Sequence, residues 1–159
     1  MAHFAELELK TDQTGFTSDT HLIVKRVVVV GNDIEVNGGI LEDNDCHADG
    51  ETWCVNFFKG GTWKQTSYNN NFRKQYCGKG YTFDAAKNKF LIPHPYASWA
   101  LDGNDDWQAP VTYPTDTGTE EDLKYINWDE EGQKWTATDN SDPVNNFNWD
   151  ASALAWVSA

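Results

Sequence analysis

The sequence predicts a mainly β protein (α+β) with one short helix, an antiparallel sheet and an aromatic β-hairpin extension. Three observations carry this. Alternating and β-branched runs open the chain, a single apolar stripe at helical spacing stands at 51–59, and aromatic pairs recur seven or eight residues apart beyond it. The 159 residues suffice for a sizeable core. We expect residues 1–110 to form a compact α+β domain and residues 111–159 an acidic, Trp-rich hairpin extension.

Ala5, Leu7 and Leu9 alternate with Glu6, Glu8 and Lys10, the period-2 pattern of a half-buried strand. Residues 11–20 are polar and contain Gly15, so they read as a long hairpin loop. Residues 21–30, ending in four valines, form the returning strand. Residues 31–50 read as an acidic loop. At 51–59, Trp53 with Phe57 and Cys54 with Phe58 fall at i, i+4 spacing. This predicts a helix capped by Asp49 or Gly50 and stopped by Gly60-Gly61. Residues 62–68 alternate again as a strand.

Four aromatic units follow: Phe83 to Phe90, Trp99 to Trp107, Trp128 to Trp135 and Trp149 to Trp156. Three carry Asp directly after the first aromatic, where a carboxylate can bond backbone N–H groups further along a turn. Each reads as strand–turn–strand with its aromatic pair facing across the ladder. Prolines between the units argue against a closed solenoid.

The formal charge of −13 argues against nucleic acid and anionic membranes as partners, since both need a basic footprint. The longest purely apolar run is Val27 to Val30, too short to span a membrane. The opening segment lacks the basic head and apolar block of a secretory signal, and an odd cysteine count suits a reducing site of synthesis. We expect synthesis in the cytoplasm without export. Residues 59–89 carry seven basic side chains against Asp84, whereas residues 101–159 carry thirteen acids against Lys124 and Lys134, a net of 2 − 13 = −11. These blocks read either as solvated faces or as complementary patches for self-association or docking.

Several stretches resemble a family of small virion-associated proteins of tailed marine phages. They are the opening MAHFA (1–5), TWC (52–54), GGTWKQTSYN (60–69), NFRK (71–74), GKGYTFD (78–84) and FLIPHPYASW (90–99), with a W-D…W hairpin further on. The resemblance covers most of residues 1–110 and, more loosely, 125–137. Residues 10–20 look like an insertion, residues 118–124 lengthen the segment before the W-D hairpin, and the Trp149–Trp156 unit is an addition. The resemblance implies a non-enzymatic virion structural protein, such as a capsid decoration or a tail- or fibre-associated protein. Its partners would be other virion proteins, with self-association a further option. On this basis Trp128, Trp135, Trp149, Trp156, Arg73 and Lys74 are candidate interface residues.

Asp45-x-His47-x-Asp49-Gly50 partly mimics a calcium loop but lacks the acid at position three and the Glu at position twelve. Cys46, His47, Cys54 and Cys77 do not have paired zinc-ligand spacing. The four histidines are scattered, and no nucleophile elbow or phosphate loop is present. We therefore expect no enzyme activity, metal or cofactor. Three readings of the tryptophans stay open: core of small sheets, protein–protein anchor, or an adhesin-like glycan platform with exposed Trp faces side by side.

Overall fold

The computed structural model describes residues 1–9, 21–42 and 46–159. The expected loop at 11–20, the insertion read at 10–20 and the acids Asp43 and Asp45 lie outside the described residues. Among the described residues the fold is mainly β and antiparallel, with one helix. The chain divides into two compact units, Met1–Pro93 and His94–Ala159. The division falls earlier than residue 110, because Trp99, Ala109 and Val111 pack in the core of the second unit.

The first unit is built on a five-stranded sheet. Its strands are β1 (Ala2–Leu9), β2 (His21–Val30), β5 (Thr62–Thr66), β6 (Thr82–Asp84) and β7 (Lys89–Leu91), in the order β5-β1-β2-β6-β7. β1 keeps its predicted alternation, with Ala5 and Leu7 on one face and Phe4 and Glu6 on the other. Both faces are covered. Ala5 and Leu7 pack with Val24, Cys77, Phe83 and Phe90. Phe4 packs with Val30, Leu41, Cys54 and Trp63. Leu9, expected inside, is exposed; it lies beyond the last pair with β5, Leu7–Thr62, and still pairs with Leu22 of β2.

The acidic loop contains a small hairpin of its own, β3 (Glu35–Val36) and β4 (Gly39–Ile40). The helix α1 spans Ala48–Phe57, starting earlier than expected. Its cap is His47, whose Nδ1 accepts the Gly50 N–H at 3.1 Å, and not Asp49 or Gly50. Gly50 serves packing instead: a Cβ there would lie 2.5 Å from the Phe4 ring and 2.8 Å from Leu41. Only hydrogen lets the helix sit this close to β1. Cys54 is buried, but Phe57 is exposed and stacks on Trp53 at 4.7 Å, so the apolar stripe is narrower than its spacing suggests.

The sheet curls until residues 73–77 bridge both of its edge strands. Arg73 donates to the Gln65 carbonyl on β5 at 2.8 Å, and its own carbonyl accepts the Phe90 N–H on β7 at 3.0 Å. Gln75 donates to the Phe90 carbonyl, and the Cys77 N–H bonds Thr66 Oγ1. Burial pushes the Cys54 thiol up to about 12 and the Cys77 thiol up to about 11, consistent with packing roles.

The second unit holds a two-stranded ladder, β8 (Ala100–Leu101) with β9 (Trp107–Gln108), and a four-stranded meander. The meander comprises β10 (Tyr125–Asp129), β11 (Lys134–Thr138), β12 (Asn146–Asp150) and β13 (Ala155–Ser158), in chain order. Its central turn is organised by Asp139, whose carboxylate accepts from both the backbone and the side chains of Ser141 and Asn145. Those bonds hold its pKa down at about 2.

Three of the four predicted aromatic pairs face each other across a ladder: Phe83 with Phe90, Trp128 with Trp135, and Trp149 with Trp156. Their turns are alike. Asp84, Asp129 and Asp150 each accept the N–H three residues on, at 3.0–3.2 Å. Asn88, Gln133 and Leu154, each four residues after the Asp, take positive φ. The fourth unit differs. Leu101, not Trp99, faces Trp107, which stacks on His94 at 4.1 Å. There the Asp102 carboxylate bonds the N–H groups of Asn104 and Asp106, making a different turn.

Candidate functional site

The meander carries its tryptophans in one row. Trp128 faces Trp135 and Trp149 faces Trp156, with ring centroids 5.0 Å apart in each pair. The register Thr136–Asn148, carried one step further, sets Trp135 opposite Trp149. The row thus crosses all four strands on one face. Trp99 meets Trp128 and Trp135 edge-on, and Tyr113 meets Trp135 at 4.9 Å. Three indole N–H groups are satisfied: Trp128 by Glu130, Trp135 by the Val111 carbonyl and Trp156 by the Asp116 carbonyl.

Of the candidate interface residues, Trp128, Trp135 and Trp149 are therefore interior, and Trp156 is half-buried. No tryptophan among the described residues is exposed, so the side-by-side Trp faces of a glycan platform are not formed. In a segment with few aliphatics, the rings supply the burial. Arg73 is also turned inward. Its side chain is 6% exposed, bonds Glu51 at 2.7 Å and lies over the Phe83 ring. Lys74 is half-buried next to it.

The two larger sheets treat an edge strand differently. On β5, Glu51 accepts the Gln65 N–H at 3.0 Å while Arg73 covers the Gln65 carbonyl, so an ion pair occupies the outward backbone groups of Gln65. On β13 the pattern is open. The Ala159 N–H bonds the Asn146 carbonyl, which makes Asn148–Val157 and Asp150–Ala155 the hydrogen-bonded pairs. Trp149–Trp156 and Phe147–Ser158 are then the close, non-hydrogen-bonded pairs. The backbone N–H and C=O groups of Trp156 and Ser158 point outward. β13 has no charged residue and no proline to blunt it, and Val157 and the adjoining Leu154 are 45% and 61% exposed. Leu154, Tyr113, Pro110 and Trp149 line an apolar groove of about 410 Å³ beside this hairpin.

A second concavity, of about 390 Å³, opens in the first unit, where Ala2 and His3 meet residues 65–72. The MAHFA and QTSYN stretches thus converge on one surface. Tyr68 is 69% exposed and stacks on His3 at 5.5 Å, and Tyr76 meets both rings edge-on. Burial lowers the His3 pKa from its ordinary value, which favours the neutral imidazole. The local turn is held by Asn71 N–H to Ser67 Oγ and by Tyr76 N–H to Asn70 Oδ1. Sequence reasoning missed this cleft, since only the pairing of β1 with β5 unites its two halves.

Among the described residues no cluster of three His, Cys, Asp or Glu side chains is arranged to hold a metal ion. Comparison with protein families, curated proteins and solved structures finds no match for this chain.

Proposed function

We propose that the protein is a non-enzymatic structural component of a tailed-phage virion, a capsid decoration or a tail- or fibre-associated protein. It docks on another virion protein through the outer edge of β13. The sequence resemblance supplies the virion setting. The observation that carries the docking surface is the contrast between the β5 edge, covered at Gln65 by an ion pair, and the open, uncharged β13 edge. Strand addition supplies main-chain bonds along such an edge, and the neighbouring groove takes apolar side chains.

Charge argues for the kind of partner. Residues 94–159 carry thirteen acids and two lysines, a net of −11. An extended segment bearing Lys or Arg is drawn to this unit, whereas a second copy brings the same charge against itself. Deleting residues 141–159 tests the reading. Particles assembled with the truncated chain should lose it while residues 1–93 stay folded. Retention of the truncated chain at normal copy number would contradict the proposal. Pairing of purified protein into dimers that tighten with added salt would assign the edge to self-association instead.

A further inference from the structure

We propose that the cleft between His3 and Tyr68–Asn71 is a binding site for a neutral saccharide, with the outer face of Tyr68 as the stacking platform. This goes beyond the virion reading and rests on different residues.

The lining chemistry selects the ligand class. Charged residues make up 23% of the chain, yet among the described residues lining this cleft none has an Asp, Glu, Lys or Arg side chain; the formal charge there is the Met1 α-ammonium, close enough to His3 to help lower its pKa. That ammonium repels a cationic ligand, and a single one is not the set of cationic donors with which proteins clamp phosphate or carboxylate. Recognition then rests mainly on uncharged hydrogen bonding. Ser67 Oγ is occupied by the Asn71 N–H and Gln65 Oε1 by the His47 N–H. The side-chain amides of Asn69 and Asn71 carry no hydrogen bond within the described residues. Each presents a donor and an acceptor together, the pattern that vicinal hydroxyls require.

The aromatic geometry fits the same class. One face of Tyr68 rests on His3, 19° from parallel, and Tyr76 braces its edge. The ring is therefore held before any ligand arrives, which lowers the entropy lost on binding. The ring is nonetheless 69% exposed, which leaves surface for a ligand. A flat, part-apolar ligand with hydroxyls at its rim matches a pyranose. The volume of about 390 Å³ lies in the range of small-molecule sites.

The test uses the full chain, isotope-labelled for amide NMR. It is titrated separately with maltose, lactose, methyl mannoside and diacetylchitobiose, with sialyllactose as the anionic control and an uncharged Gly-Ser peptide as the non-sugar control. The proposal expects shifts confined to Ser67–Asn71 and His3 with at least one neutral sugar, and no gain from sialic acid. Tyr68→Ala should weaken that binding about ten-fold, while Tyr68→Phe keeps the platform and most of the affinity. Tyr68→Phe should melt like the parent, while Tyr68→Ala, which gives up the ring contacts with His3 and Tyr76, should melt slightly lower but stay folded; Asn69→Ala, which removes an amide from the rim and leaves those rings in place, provides an independent loss. No response to any neutral sugar, a preference for sialyllactose, a response to the peptide alone, or full binding by Tyr68→Ala would each overturn the proposal.

Discussion

Arg73 Nη1 lies 2.7 Å from Glu51 Oε1, and the same two side chains also hold both backbone polar groups of Gln65. Glu51 comes from the helix, Arg73 from the segment between β5 and β6, and Gln65 from the sheet edge. One ion pair therefore ties helix, edge strand and bridging segment. Their side chains are 13% and 6% exposed, so removing one partner leaves a largely buried charge. Arg73→Ala should destabilise the first unit by about 3 kcal/mol, read from denaturant unfolding. In a double-mutant cycle, Glu51→Gln with Arg73→Ala should cost much less than the sum of the single changes.

Acid should act on the same pair. Burial alone would push the Glu51 carboxyl up, but the Gln65 N–H, Arg73 and Lys64 together hold it below the ordinary 4.5 of glutamate. A carboxyl with a lowered folded pKa binds fewer protons folded than unfolded. Its contribution is complete above 4.5 and is lost as pH falls through the folded value. Stability of the first unit should decline below this point in the parent and decline less in Glu51→Gln. Equal acid sensitivity in both would contradict the assignment.

The tryptophan row should carry the second unit. Trp135 lies in the row's interior and touches Trp99, Tyr113 and Trp128. Trp135→Ala should cost about 3–5 kcal/mol and remove the amide dispersion of residues 94–159. Signals from the five-stranded sheet should persist. Loss of both sets together would show one cooperative structure.

Leu154 takes the left-handed position (φ 51°) that Asn88 and Gln133 occupy in the equivalent turns, and its side chain is exposed. Left-handed backbone costs a leucine roughly 1 kcal/mol, whereas glycine adopts it freely. Leu154→Gly should therefore raise, or at least not lower, the melting temperature. If Leu154 also anchors the partner, the same change should weaken docking, giving stability and attachment opposite signs.

The hairpins were legible because their cause is local. An aromatic pair seven apart, with Asp after the first, determines both the ladder partner and the turn, as Asp129–Gly132 and Asp150–Ala153 show. The Trp99–Trp107 unit has one more residue in its gap, and Asp102 forms another turn there. The helix starts before the expected residue 51 because an imidazole caps it and because Gly50 marks a contact with Phe4. Arg73 could be placed in a basic block but not in the ion pair with Glu51, since nothing local in the sequence joins positions 51, 65 and 73. For the tryptophans the sequence leaves burial as one reading among three, because strand order decides which face of a meander is covered.

The most direct measurement is the incorporation of Ser158→Pro into assembled particles. Ser158 directs its N–H to the outer side of β13, so proline removes one edge donor and spares the bonds to β12. Quantitative mass spectrometry of purified particles, beside an unchanged amide spectrum of the isolated variant, should show the protein depleted. Normal incorporation of a folded Ser158→Pro chain would contradict the β13 edge as the docking surface.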